Sequence, residues 1–335
     1  MTALVTGGAG YVGSHVVRTL RNLGLRVVVI DRLDPGRAES LPDDVPLMVA
    51  DIRDRAAVRR CLREHAVDTV LHLAAEKSVA GSMADPGPTF STNTAGTLTV
   101  LQAMLEESVY RLVFSSTCAV YGPSDDVPIN EDVQVQPMNP YGESKAQAEA
   151  IIRWFSRAHG LRAVTFRYFN AAGADPAGDL GESWDVAENL IPRALRSAAL
   201  GIPLEIYGTD YPTPDGTAIR DYVHVTDLAA AHASAVQLLA AGEASRTLNL
   251  GTGTGASVRD VVDTVRRVTG RTLHVVAGRR RDGDAAAVWA DPGRAAAVMG
   301  WRAERTLDEM VGDAWRWHMR SHAGEGRGFA AAPSA

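Results

Sequence analysis

The sequence predicts an α/β fold, a doubly wound parallel sheet with a smaller mixed α/β lobe towards the C-terminus. Short apolar runs typical of buried strands alternate with segments of helical spacing through the first 170 residues, as βαβ units require. The first run leads into a glycine-rich turn and a helix. Hydrophobic residues make up 46% of the 335 residues and charged residues 22%, so the chain can bury a large core.

The glycine-rich turn and the acid after the second strand predict a nucleotide site. The turn follows the apolar run 3–6 and carries three glycines: Gly7, Gly10 and Gly13. Glycine lets the backbone turn sharply and approach a pyrophosphate, whose charge then faces the helix N-terminus. The strand 26–30 ends at Asp31, whose carboxylate can accept hydrogen bonds from an adenosine ribose. The glycines alone also fit a turn without ligand, but with the acid they predict a Rossmann-like dinucleotide-binding sheet.

Asp31 also indicates which dinucleotide binds. A carboxylate there repels a ribose 2′-phosphate, so NAD is favoured over NADP, although Arg32 and Arg37 keep NADP open. The third apolar run also ends in an acid, Asp51. Asp51 is placed either at the adenine edge or at the N-terminal cap of the helix 53–64.

The fourth strand leads into further cofactor contacts. The strand 69–73 is followed by two alanines, which suit the close approach of a flat cofactor, and then by Lys77. We expect Lys77 to reach the phosphates or a ribose, the alternative being a surface lysine. A long helix over 89–106 follows, with Asn93 near its beginning.

The fifth strand ends beside a hydroxyl group. The strand 111–115 runs into Ser115-Ser116-Thr117. In doubly wound sheets ligands collect at the C-terminal ends of the strands, where the Thr117 hydroxyl can bond a substrate hydroxyl. Taken alone, such a run is more often turn chemistry.

Tyr141 and Lys145 are the strongest catalytic candidates. Residues four apart on a helix lie on one face, so the phenol and the ammonium can point into one pocket. Asn139-Pro140 predicts a cap and a first helical residue just before them, in a helix that ends at about residue 159. Both the helix dipole and the cation are expected to lower the phenol pKa, which makes Tyr141 a base.

The regular alternation loosens after the sixth strand, 163–166, and a second region begins. Its predicted elements are helices from 189 and over 225–241, 258–269 and 307–319, and strands over 204–207, 248–250 and 273–277. The predicted domains are an NAD-binding domain of residues 1–170, which 217–250 rejoin, a substrate lobe of 171–216 and 251–321, and a frayed tail, 322–335.

Charge and composition exclude several classes. The net charge is −6 without a long basic run, so neither nucleic acid nor a membrane surface is expected as partner. Two distant cysteines, an apolar strand that starts at residue 3 and the lack of a membrane-length apolar run favour a reducing cytoplasm. His318 and His322 are one helical turn apart, but nothing completes a ligand set, so no metal is predicted.

The chain closely resembles the UDP-glucose 4-epimerases of the extended short-chain dehydrogenase/reductase family. The resemblance extends nearly end to end, and its motifs lie at residues 5–15, 115–122, 139–145, 167–170, 208–217, 220–225, 249–253 and 280–284. The most specific are Gly-Thr-Asp-Tyr-Pro-Thr-Pro-Asp-Gly-Thr at 208–217 and Arg-Asp-Tyr-Val-His-Val at 220–225. They point to the epimerase branch.

The resemblance implies C4 epimerisation of a UDP-hexose through a 4-keto sugar, with NAD that stays tightly bound. It assigns Tyr141 as the base, Thr117 as its partner at the sugar 4-hydroxyl, and Lys145 as the cation that lowers the tyrosine pKa and holds the nicotinamide ribose. It also implies a homodimer built through the helices 89–106 and 144–159.

Two residue sets are predicted around these groups. The cofactor set is Gly7, Gly10, Tyr11, Val12, Gly13, Asp31, Asp51, Ile52, Leu73, Ala74, Ala75, Lys77, Asn93, Ser115, Tyr141, Lys145 and Tyr168. The substrate set is Lys77, Thr117, Tyr141, Asn170, Asn189, Leu190, Glu205, Ile206, Tyr207, Arg220, Arg281, Asp284 and Val288. Arginines suit a diphosphate because a guanidinium makes paired hydrogen bonds to its oxygens.

Departures from the family pattern shape the alternatives. Val288 stands where some relatives carry a bulky tyrosine, so N-acetylhexosamines are expected to fit as well as hexoses. Thr92 replaces an asparagine of many relatives, which affects helix packing. A 4,6-dehydratase would show Asp-Glu where this chain has Cys118-Ala119, so dehydration is set aside. A UDP-glucuronate or UDP-pentose epimerase, and a non-catalytic NAD-binding protein, remain as alternatives.

Overall fold

A seven-stranded parallel sheet forms the centre of the molecule. The computed structural model describes residues 1–34, 37–123, 127–184, 187–281 and 284–323. The strands are β1 Thr2–Thr6, β2 Arg26–Asp31, β3 Leu47–Val49, β4 Thr69–His72, β5 Arg111–Thr117, β6 Arg162–Tyr168, β7 Asn170–Ala172, β8 Leu204–Tyr207, β9 Ile219–Arg220, β10 Tyr222–His224, β11 Arg246–Leu250, β12 Ala256–Ser257, β13 Val275–Gly278 and β14 Ala287–Val288. The sheet order β11-β6-β5-β4-β1-β2-β3, parallel throughout, confirms the predicted fold class.

Helices cover both faces of this sheet. The helices in the described part of the chain, including those of the C-terminal lobe, are α1 Tyr11–Asn22, α2 Arg55–Glu64, α3 Val79–Ala84, α4 Pro86–Thr89, α5 Gly96–Glu106, α6 Pro140–His159, α7 Leu190–Leu200, α8 Val225–Ala240, α9 Val258–Thr269, α10 Gly293–Met299 and α11 Leu307–Ala323. Side chains alternate along each strand, so Ala3 and Val5 face one apolar layer with α1 and α8, while Leu4 faces another with α2, α5 and α6. Burial on both faces explains why the strands read as continuous apolar runs.

The strand order reverses between β1 and β4. From β1 the chain runs outward through β2 and β3, and from β4 it runs the other way through β5, β6 and β11. Open α/β sheets bind ligands at the C-terminal edge of such a switch point. The glycine-rich turn after β1 and the loop after β4 therefore flank the expected site.

The C-terminal lobe is built from shorter elements. Helices α7, α9 and α11 enclose a separate apolar core, and β8 pairs in parallel with β13. A three-stranded sheet, β12-β9-β14, sets Val288 opposite Arg220. Another apolar cluster, which contains Phe169 and Ala290 and packs against Val288, joins the lobe to the end of the parallel sheet.

Two predicted boundaries differ from the structure. The helix predicted over 89–106 is α4, a π-helical turn over Phe90–Ala95 and α5, because the wider turn brings the Asn93 amide to Ser144 on α6, at 3.0 Å. Asp54, not Asp51, caps α2, since its carboxylate accepts the Ala57 amide at 3.0 Å. In the described part of the chain, no helix is both long and apolar enough to span a membrane.

Candidate active site

The N-terminus of α6 fixes the catalytic candidates. Asn139 caps the helix through the Gly142 amide at 2.9 Å, and Pro140 opens it, as predicted. A Cβ at Gly142 would lie 2.5 Å from the Ala119 carbonyl oxygen, so only glycine allows this approach to the turn after β5. The approach brings Tyr141 beside Thr117, whose hydroxyl hydrogen-bonds the phenol.

The Tyr141 phenol has a raised pKa, contrary to the prediction. Burial raises it well above its ordinary value, the nearby Tyr168 phenol raises it further, and the Thr117 hydrogen bond lowers it. Lys145 does not offset this, since its ammonium donates to the Ser115 carbonyl at 2.8 Å and lies 4.9 Å from the Phe114 ring. The predicted lowering by Lys145 is wrong for the chain alone because desolvation dominates. Burial also lowers the pKa of Lys145 to about 8.

The Lys145 contact rests on a buried chain of hydrogen bonds. Nδ1 of His232 lies 2.8 Å from the Leu228 carbonyl, which can only accept, so Nδ1 carries the proton. Nε2 is then an acceptor for the Ser115 hydroxyl at 3.2 Å. Tyr168 lies on the other side of Ser115, and their hydrogen bond lowers a phenol pKa that burial raises. Ser115 and Tyr168 therefore line the space behind the catalytic pair.

The glycine turn forms a cradle that fits a pyrophosphate. Gly7 has a φ of +71°, and a Cβ on Gly13 would lie 2.1 Å from the Gly7 carbonyl oxygen. Gly10 precedes α1 without any side-chain cap. No side chain of the N-cap residue therefore occupies the first-turn amides of α1, which lie at the positive end of the helix dipole, as an anion site requires. Val12 packs against the neighbouring core.

Asp31 lies next to this cradle. Its carboxylate accepts the Ala9 amide at 2.9 Å and the Leu33 amide at 2.8 Å. These bonds hold the acid at the C-terminal end of β2, where a ribose is expected. The neighbouring Asp51 is engaged by the Arg53 guanidinium, which lowers its pKa, and Ile52 is buried against Gly96.

The loop after β4 forms the other wall. Leu73, Ala74 and Ala75 follow β4 directly, and a Cβ on Gly7 would meet the Ala74 amide at 2.6 Å. Asn93 does not face an open space: its amide bonds the Glu76 backbone, at 2.8 and 3.0 Å, as well as Ser144. It ties this loop to α6.

Two predicted cofactor side chains meet an irregular segment after β7. The Tyr11 phenol donates to the Gly173 carbonyl at 2.7 Å. The Lys77 ammonium lies 2.8 Å from the Glu182 carboxylate, so it is a paired lysine at the cleft and not an isolated surface group.

Arginines and aromatic rings dominate the substrate side. The Arg281 guanidinium lies 4.0 Å from the centre of the Tyr207 ring, and Arg220 pairs with Asp284 at 3.4 Å. Asp282 and Gly283, from the same motif, lie outside the described residues. Val288 and Cys118, the neighbour of Thr117, pack against the same apolar cluster, and the Arg220 guanidinium lowers the pKa of the Cys118 thiol, which burial raises. The end of β5 that carries Thr117 and the substrate-side residue Arg220 therefore lie close to each other.

The remaining substrate candidates have different surroundings. Asn170 donates to the Asp221 carbonyl at 2.9 Å. Asn189 precedes Leu190 at the start of α7, and its side chain makes no capping bond. Glu205 is exposed, whereas the Ile206 side chain packs in the lobe core, which leaves only its backbone for a ligand.

Sequence reasoning missed three charged residues that contact the predicted groups. Glu149 follows Lys145 by one helical turn and raises its pKa, a spacing that could have revealed it. Arg193 lies 5.4 Å from the Tyr207 ring, one turn after Asn189. Glu182 lies in a segment without periodicity, so no pattern indicates it.

Fold and site together define a dinucleotide-dependent enzyme that acts on a hydroxyl group: a glycine cradle and an acid at the switch point, with a tyrosine, a lysine and a threonine beside them. The chain belongs to the NAD dependent epimerase/dehydratase family, whose sequence profile matches residues 3–251. This match supports NAD as the cofactor.

Similar proteins confirm the resemblance found in the sequence. The chain is 47% identical to the UDP-glucose 4-epimerase of Azospirillum brasilense, over 94% of this chain and 91% of that protein. The structure of UDP-glucose 4-epimerase from Stenotrophomonas maltophila, with bound NAD and formylated UDP-arabinopyranose, has a TM-score of 0.94 at 38% identity, covering 97% and 99% of the two chains. The NAD complex of the Brucella ovis enzyme has a TM-score of 0.91 at 41% identity, covering 94% and 97%.

Proposed function

We propose that this chain interconverts UDP-glucose and UDP-galactose by inverting C4 of the sugar. The observation that carries the proposal is the position of the Tyr141 phenol, which is hydrogen-bonded to Thr117 at the C-terminal end of β5. Arg220, a residue suited to bind a diphosphate, lies opposite Val288 and is close enough to lower the pKa of the Cys118 thiol next to Thr117. A base at one end and a diphosphate anchor at the other match a nucleotide sugar.

The chain's own residues handle the proton and hold the substrate. When bound, NAD supplies a reversible hydride acceptor and, in its oxidised form, a positive charge that favours the phenolate. Tyr141 accepts the proton of the 4-hydroxyl, which Thr117 aligns by a hydrogen bond, and returns it once the keto sugar has turned. Lys145 is held by the Ser115 carbonyl, at 2.8 Å, and its other N–H donors would be available to a ribose hydroxyl of the cofactor.

Substrate anchoring must leave the sugar free to rotate. Arg220 and Arg281 would hold the diphosphate, and Tyr207, stacked on Arg281, would support the uridine side. Val288, half-buried at the end of the lobe sheet, is smaller than a tyrosine. A pocket bordered by valine leaves room for an acetamido group, so N-acetylhexosamine forms are also proposed as substrates.

We also propose a cytoplasmic homodimer that serves galactose metabolism. Support for the dimer comes from α6, where the Trp154 side chain is 65% exposed although indole is largely apolar. Light scattering of the chain and of Trp154→Glu tests it: a dimer that dissociates in the variant is expected, and a monomeric wild type would contradict it.

The test of the proposed function is a panel of UDP-sugars after the cofactor has been identified. We expect denatured protein to release NAD, and the native protein to interconvert UDP-glucose with UDP-galactose and the two UDP-N-acetylhexosamines with each other. If only the hexoses are converted, the proposal that Val288 leaves room for an acetamido group is contradicted. Turnover confined to UDP-glucuronate or UDP-pentoses, or none at all, would contradict the proposed reaction.

A further inference from the structure

Glu182 is a nearly buried carboxylate that no part of the proposed reaction uses. Its side chain is 8% exposed, while its partner Lys77 is 55% exposed, and their charged atoms are 2.8 Å apart. The ammonium thus reaches from the cofactor cleft towards a fixed acid. A buried carboxylate needs such a cation, because removing it from water without a partner is costly.

The C-terminal helix holds Glu182 in place. The Trp317 indole on α11 donates to the Glu182 carbonyl at 3.0 Å. A Cβ on Gly181 would lie 2.5 Å from the same ring, so the segment packs flat on the indole. The backbone before Glu182 is therefore anchored to a helix far from the glycine turn in sequence.

The same segment reaches both sides of the switch point. Gly173 accepts the Tyr11 phenol at 2.7 Å, on the turn after β1. Asp175 and Asp179 pair with Arg18 of α1 at 3.3 and 2.6 Å. Glu182 then meets Lys77 on the loop after β4. We call residues 173–182 the cofactor strap.

We propose that Glu182 is a positioning residue that fixes Lys77 and lets the cofactor strap slow the release of bound NAD. The inference deepens the proposed function and rests on it for the cofactor. An ammonium beside a carboxylate has little net charge left for a phosphate, but its other two N–H donors have no partner among the described residues. Lys77 therefore acts as an oriented donor to ribose hydroxyls, and Glu182 sets that orientation.

The test compares two glutamates that contact adjacent residues. Glu182→Gln removes the charge that faces Lys77. Glu188→Gln is the matched control, because Glu188 lies in the same connection but accepts from the exposed Ser78 hydroxyl, at 2.8 and 2.9 Å. The measurement is the NAD dissociation rate of the holoenzyme, followed by displacement with excess thionicotinamide dinucleotide, together with thermal melting.

We expect Glu182→Gln to release NAD about tenfold or more faster, with a near-native melting temperature, since it loses a charge-assisted contact. Glu188→Gln should stay within about twofold of the wild type because its bond is exposed. Trp317→Phe, which removes the indole N–H and part of the ring that packs on Gly181, should accelerate release by a smaller factor. An unchanged rate in folded Glu182→Gln would overturn the proposal.

A second comparison keeps the proposal testable if Glu182→Gln alone does not fold. Lys77→Met and Lys77→Met/Glu182→Gln should release NAD equally fast if the two residues act as one unit. Independent, multiplying effects would overturn the proposal. Epimerisation is measured alongside NAD release. If the proposed reaction is wrong, the variants still differ in the rate of NAD release. If the positioning role is wrong, turnover is observed but the rate of NAD release is the same in all variants.

Discussion

Two arginine–carboxylate pairs show how the cofactor half and the substrate lobe differ. In the cofactor half, Arg167 binds Glu149 through two hydrogen bonds of 2.6 and 3.0 Å, and both side chains are almost fully buried. In the lobe, Arg267 binds Asp308 through two bonds of 2.6 Å, and both are mostly exposed. Both pairs have two hydrogen bonds, but their environments are opposite.

The difference indicates how each half performs its task. Near the reacting centre of the cofactor half, the Lys145 ammonium is held by the Ser115 carbonyl and the Ser115 hydroxyl by His232, so the protein itself places these groups. In the lobe, Arg281 is exposed and stacks on Tyr207. Such a guanidinium keeps its donors available for a ligand. The reacting centre is therefore held by buried contacts within the protein, whereas the diphosphate would be bound by an exposed guanidinium.

The largest expected effect is a difference in stability between substitutions in the buried pair and in the exposed pair. Arg167→Leu should lower the free energy of unfolding by about 3–5 kcal/mol, because it removes the hydrogen-bonded counter-charge of the buried Glu149 carboxylate and leaves the mostly exposed Arg153 guanidinium 3.9 Å away. Arg267→Leu should leave the urea midpoint close to that of the wild type, since water replaces the lost bonds. Urea unfolding at pH 7 checks both. Equal losses would remove the contrast between the halves.

A smaller effect is expected from the lobe arginine itself. Arg281→Lys should raise KM for the UDP-sugar about 10- to 100-fold, because lysine loses the paired bonds to phosphate and the stacking on Tyr207. Bound NAD and kcat should change little. Arg279→Lys, at an exposed position in the same run, is the control. Loss of NAD in Arg281→Lys would show that the halves are not separate in function.

The smallest effect expected for each residue is a loss of stability at acidic pH. Burial lowers the pKa of His15 and His232 to about 4 and that of His72 to about 3, against 6.5 when unfolded. Below pH 6.5 the unfolded chain binds more protons, so stability is complete above that pH and falls as the pH drops, by up to about 1.4 kcal/mol per unit for each residue.

Urea unfolding at pH 7, 6 and 5 checks this dependence. His274→Gln, at an exposed position of the lobe, should show the same slope as the wild type. A stability that stays flat down to pH 5 would contradict the role assigned to the three buried imidazoles of the cofactor half.

Sequence patterns predicted the cofactor half well because its geometry follows from topology. Parallel strands buried on both faces give continuous apolar runs, and their ends meet at one edge. The positions of Gly7, Asp31 and Thr117 at strand ends follow from that rule alone. The Asn139 cap with Pro140 likewise has a local cause.

Other features depended on contacts that no local pattern encodes. The π-helical turn at Phe90–Ala95 arises from the bond between Asn93 and Ser144, and Glu182 meets Lys77 across 105 residues. The pKa of Tyr141 was misjudged because spacing indicates a nearby cation but not the extent of burial. In the lobe, Ile206 lies on the side of β8 that faces the apolar core, so its side chain is not available to a ligand. The sequence alone does not indicate which side of β8 faces the core.

The most direct test of the central claim is Tyr141→Phe, measured as conversion of UDP-galactose to UDP-glucose alongside retained NAD. The phenol oxygen bonds Thr117 and is the proposed base. We expect turnover to fall by about 10²- to 10⁴-fold, the range for loss of a general base, while NAD content and melting temperature stay those of the wild type. Turnover within a few-fold of the wild type would contradict the account.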